Sequence, residues 1–100
     1  MIPMISVKGN AFERGRMYGV RASSRIAGSL ALYKRVFLEM AAMDWSSAVL
    51  HGLTYAKYIE QYGSKYLDEM HGIAEGANVD FGDIMALNSR TEIMETSRKR

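Results

Sequence analysis

From Asn10 to Met40 the apolar and small residues recur at steps of three and four: Phe12, Gly15, Gly19, Ala22, Ile26, Leu30, Tyr33, Phe37 and Met40. That spacing keeps them on one face of a 3.6-residue turn and predicts a single long helix. Asn10 suits its N-cap, with Glu13 three residues on to complete an arrangement close to a capping box. Ahead of it, Met4 to Lys8 alternates around Ile5 and Val7 and stops at Gly9-Asn10, which predicts a short strand and a turn. The helical face begins small and ends large. Glycine in a helix costs roughly 0.5–1 kcal/mol relative to alanine, so Gly15 and Gly19 are either tolerated on an ordinary face or mark the close approach of another backbone.

A second helix follows, capped by Asp44 or Ser46, with Val49, Leu53, Ala56, Tyr58 or Ile59, and Tyr62 on its apolar face and Gly63 at its end. Ser64 restarts the chain for a third helix through Leu67, Met70, Ile73 or Ala74, and Ala77, again with two glycines four apart, Gly72 and Gly76. Asn78 suits a left-handed closing residue, and Asp80 a cap for one further turn, "FGDIMALN". From Ser89 to Thr96 the residues alternate, Thr91 and Ile93 on one side and Arg90, Glu92 and Met94 on the other, which predicts a last strand. Two short strands at opposite ends need partner strands, so the chain reads as part of a larger fold and is not expected to unfold cooperatively when isolated.

Composition narrows the function. With 48% hydrophobic and 24% charged residues in 100, the chain fits one globular domain without internal linkers or repeats. The net charge of +2 gives no one-sided basic footprint; a nucleic-acid reading would have to rest on Arg14, Arg21, Arg25 and the basic tail. No cysteine is present, so the chain holds neither disulfide nor thiol nucleophile. "GNAFERG" is not a phosphate loop, there is no dinucleotide fingerprint, and no GxSxG elbow presents a serine. His51 and His71 lack metal-ligand spacing, while the 8 Met and 6 Tyr fall mostly at core spacing, so neither metal nor cofactor is expected. Lys34, Arg35 and Glu39 interrupt the most apolar stretch, and "MIPMISVKGN" has no secretory pattern, so a cytoplasmic protein without membrane insertion is expected.

Two stretches carry a resemblance. "KGNAFERGRMYG", together with "KYLDEMHGIAEGANVDFGDIMALNSRTEI", resembles the penicillin acyltransferase family, the acyl-CoA:6-aminopenicillanic acid acyltransferases and their amidohydrolase relatives. "EMHGIAEGA" and "LNSRTE" are its most specific parts, and the similarity runs in order through nearly the whole chain. The resemblance implies a cysteine-type N-terminal nucleophile hydrolase of α/β class, an αββα sandwich. In such a protein a precursor cuts itself just before a cysteine and the upstream piece stays bound as the α chain. Residues 1–100 would be that α chain, mostly helical with short terminal strands, within a single domain completed by a β chain. The β chain would supply the nucleophile, the substrate would be a small-molecule amide or an acyl-CoA-like thioester, and a higher oligomer is compatible with the scheme.

Carried over from "LNSRTE" position by position, Asn88, Arg90 and Glu92 become the site-supporting residues. On the expected strand, Arg90 and Glu92 share a face about 6–7 Å apart. They either fix the cleavage segment and the wall of the nucleophile site or form a buried ion pair holding two chains together. A small helical interaction module without catalysis is the alternative function.

Overall fold

The computed structural model describes residues 7–98, and over that span it is all-α: six helices and no strand among the described residues. They are α1 (Val7–Arg21), α2 (Ser23–Ala41), α3 (Trp45–Glu60), α4 (Lys65–Ala77), α5 (Phe81–Asn88) and α6 (Arg90–Arg98).

The α/β expectation is therefore corrected at both ends. Met4, Ile5 and Ser6 of the first expected strand lie outside the described residues, while Val7 and Lys8 already belong to α1. Asn10 stands inside that helix rather than capping it, and Glu13 bonds forward to Arg16, Oε1 accepting from Nη2 at 3.0 Å. At the other end, the expected strand from Ser89 to Thr96 is the closing residue of α5, Ser89, and the first seven residues of α6. Ser89 and Ile93 are buried four residues apart and Met94 is half-buried, whereas Thr91, expected beside Ile93, is exposed. Threonine and isoleucine favour strands only where a sheet receives them; here the receiving surface is Phe37, Ala48 and Ala86, and burying Ile93 against it selects the helical period.

The long first helix is real but bent. Hydrogen bonds run through the junction, Ala22 N to Tyr18 O and Ile26 N to Ala22 O, both at 2.8 Å. Ala22 nevertheless has ψ 12°, which swings α2 away from the line of α1. The bend divides the labour: α1 lies along α4, and α2 crosses the remaining helices. Asp44 caps α3, accepting from the Ser47 amide at 3.0 Å. Asn78 closes α4 in the left-handed conformation at φ 60°, and Asp80 with Asp83 forms a capping box on α5.

Two side-chain clusters make the core. Ile26, Leu30, Leu67, Met70, Ile84 and Met85 dominate the larger, and Phe37 and Ile93 the smaller. Trp45 packs on both; its ring centre lies 5.7 Å from that of Phe37, and its indole N–H donates to Asp83 Oδ1 at 2.8 Å. α3 buries small residues, Ala48, Gly52 and Ala56, rather than the larger ones that the sequence suggested. Leu53, Tyr58 and Tyr62 are exposed. The reason is α5: a Cβ on Gly52 would stand 2.7 Å from the Ala86 amide nitrogen, so only a glycine lets the two helices approach this closely.

Candidate functional site

The site is built on the pairing of α1 with α4. A Cβ at Gly15 would fall on the Glu69 carbonyl, and one at Gly19 on the Ile73 carbonyl. Reciprocally, a Cβ at Gly72 would fall on the Phe12 carbonyl and one at Gly76 on the Arg16 carbonyl. Residue numbers rise together along both helices, so the two run parallel, each glycine pair seated on the other helix's backbone one turn earlier. The reading of these glycines as a place of close approach is the one the structure bears out. Arg14 adds an exposed ion pair to Glu69 at 3.5 Å across the seam, a contact of the kind worth little by itself.

One turn ahead of each glycine pair stand Ala11 and Asp68, both buried. Asp68 is 8% exposed, and its Oδ2 has no hydrogen-bond partner among the described residues. Sequence reading passed over this residue. An acidic side chain in the first turn of a helix looks like ordinary dipole complementation, and only the register with α1 reveals that it is covered.

Beside the seam lies a cleft of about 260 Å³. Its floor is apolar, from Ile26, Met70, Ile73, Ile84 and Leu87; Tyr18, Asn88 and Arg90 form its polar part. Asn88 ties α5 to α4. Its amide donates to Ile84 O at 3.1 Å and to Met70 Sδ at 3.2 Å, and its Oδ1 accepts from the Tyr66 hydroxyl at 3.4 Å. Burial, and then the carboxylates of Glu92 and Glu69, push the Tyr66 phenol above its ordinary value, which keeps that donor protonated. Arg90 donates from Nη1 to Leu87 O at 2.7 Å and lays its guanidinium 5.0 Å from the centre of the Tyr33 ring.

Of the three residues singled out in the sequence, Asn88 and Arg90 thus share the cleft, and Glu92 is outside its lining. The expected Arg90–Glu92 face does not exist, because residues two apart on a helix point about 200° from one another. Both are exposed, and no ion pair joins them among the described residues.

A second depression of about 470 Å³ lies between the α2–α3 turn and α6, lined by Asp44, Ser47, His51 and Thr96 among others. Two of its groups are committed locally: Asp44 to the cap of α3, and Thr96 Oγ1 to the Glu92 carbonyl at 2.9 Å. Among the described residues no group of three or more His, Cys, Asp or Glu is placed to hold a metal ion, and no helix is long and apolar enough to cross a membrane. Comparison of the chain with protein-family models, curated proteins and solved structures finds no match.

Proposed function

We propose that this chain is the α chain of a self-processing cysteine amidohydrolase or acyltransferase that acts on the amide or thioester of a small N-acyl compound. The observation that supports the reading is spatial. The two stretches that carry the resemblance, far apart in sequence, supply the two interlocked helices and, through "LNSRTE", the Asn88 and Arg90 side of the cleft beside them.

With no cysteine among its 100 residues, the chain contributes framework and cleft wall, and the nucleophile belongs to a β chain cut from the same precursor. A cysteine freed at a new N-terminus carries its own base, since an α-amino group titrates near 7.7–8.0 and accepts the thiol proton close to neutrality. The thiolate then adds to the substrate carbonyl. Collapse of the adduct expels the amine of an amide or the thiolate of a thioester, which takes up a proton, and leaves the acyl group on the cysteine as a thioester. Water gives hydrolysis, and a second amine gives acyl transfer. In this scheme Asn88 fixes α5 on α4, and Arg90 is a cationic edge of the wall.

Mass spectrometry of the full-length gene product tests the proposal. Two chains, the second beginning with cysteine, are expected, and replacing that cysteine with alanine should leave one uncut precursor. A wild-type product that stays a single polypeptide overturns it. That outcome would favour a helical interaction module, the reading that the exposed Leu50 and Tyr58 of α3 and Tyr62 in the turn after it support on their own.

A further inference from the structure

We propose that the cleft between α1, α2, α4 and α5 is a binding site for a small aliphatic monocarboxylate, its tail on Ile26, Met70 and Ile84 and its carboxylate on Arg90 and the Tyr18 hydroxyl. Three observations lead there. The cavity is about 260 Å³, just under the roughly 300 Å³ at which sites for drug-sized ligands begin, which suits a chain of about six to eight carbons. Its floor offers only aliphatic and thioether surface, with Ile26, Met70 and Ile84 all buried.

The polar side is selective for an anion. Both hydrogens of the Asn88 amide are spent on Ile84 and Met70 and its Oδ1 accepts from the Tyr66 hydroxyl, so Asn88 has no donor left for a ligand. The donors that remain are those of Arg90 and Tyr18. Arg90 is in no ion pair among the described residues, and its hold on the Leu87 carbonyl and on Tyr33 fixes the guanidinium while leaving N–H groups to donate. A carboxylate is the group whose geometry matches that fork. An ammonium would be repelled, and an alcohol would forgo the charge.

The binding is a property of this chain's own residues and stands apart from self-processing, so either can fail without the other. Titration of the isotope-labelled 100-residue chain with octanoate, followed by NMR, tests it, with octan-1-ol and octylamine as matched probes. Saturable shifts are expected at the Asn88 side-chain amide and at the Ile26 and Ile84 methyl groups, with octanoate binding about ten-fold or more tighter than octan-1-ol. Arg90→Gln should reduce octanoate to the affinity of the alcohol and leave the alcohol unchanged, while Arg90→Lys should recover part of the difference. Unchanged octan-1-ol shifts in Arg90→Gln establish that the variant's cleft is intact. Equal affinity for octanoate and octan-1-ol, full octanoate binding in Arg90→Gln, or shifts that do not saturate would overturn the proposal.

Discussion

A methyl group added at Gly72 would land on the Phe12 carbonyl, whereas one added at Gly28, on the exposed side of α2, would meet nothing within 4 Å. Chemically identical substitutions should therefore move stability in opposite directions. Gly28→Ala removes conformational freedom from the unfolded chain without cost in the folded one and is expected to stabilise by about 0.5–1 kcal/mol. Gly72→Ala must push backbone against backbone and should destabilise by about 2–3 kcal/mol. Urea unfolding of the two variants side by side measures both. Asp68 presents a subtler case, since it is buried and its Oδ2 is unpartnered among the described residues. Asp68→Ala removes a burial penalty of about 1–3 kcal/mol at the loss of about 0.3–1 kcal/mol from the helix N-terminus. A net gain near 1 kcal/mol is expected in the same assay, and a loss of stability would show that the carboxylate has a partner in solution.

At the level of single helices, α6 and the start of α3 are the informative elements. Ile93 is 1% exposed and Thr91 exposed, so Ile93→Ala should cost about 2–4 kcal/mol and Thr91→Ala less than about 0.5 kcal/mol; a strand would have made the two comparable. The Asp44 carboxyl is held below its ordinary value, first by the Ser47 amide and then by the hydroxyls of Ser47 and Ser46. A group depressed on folding contributes stability above its unfolded pKa and loses it as the pH falls through the folded one. The melting temperature should accordingly fall as the pH drops below about 4, with a shallower fall in Asp44→Asn, which keeps a cap without the charge. Three of the caps, though not Asn10, were legible in the sequence. Asp44, Asn78 and Asp80 act locally, and local chemistry is what a short window contains. The α6 assignment was not legible, because eight residues that alternate can also carry a buried Ser89–Ile93 pair at helical spacing; the decision lies with Phe37, Ala48 and Ala86, distant in the chain. At the cleft, Asn88 and Arg90 are residues the sequence singled out. Tyr18 and Asp68 were passed over, since their placement comes from the register of α1 on α4.

Taken whole, the molecule is flat, with extents of 51 × 31 × 16 Å and a radius of gyration of 14.5 Å, against about 13 Å for a compact domain of this length. Much apolar surface remains outside: Met40 and Tyr62 are each 76% exposed, and Leu50 66%. A second chain laid on these faces would bury them, in keeping with the proposed role. With Arg90–Arg98 helical, the C-terminal strand no longer gives a reason to expect non-cooperative unfolding, and Trp45, touching both core clusters, supplies a link between them. Helical circular dichroism and Trp45 fluorescence should therefore share one midpoint in the isolated chain, and Trp45→Ala should broaden or split the dichroism transition. The parallel seam carries one more consequence, for folding in time. Helices adjacent in sequence can meet by a tight turn, but α1 must wait for a partner on the order of sixty residues downstream. At 5–20 residues per second, α1 spends about 3–12 s as nascent chain with its glycine face unmatched. It should gain protection from hydrogen exchange only together with α4, although it is made first, and that interval is when a chaperone would find it.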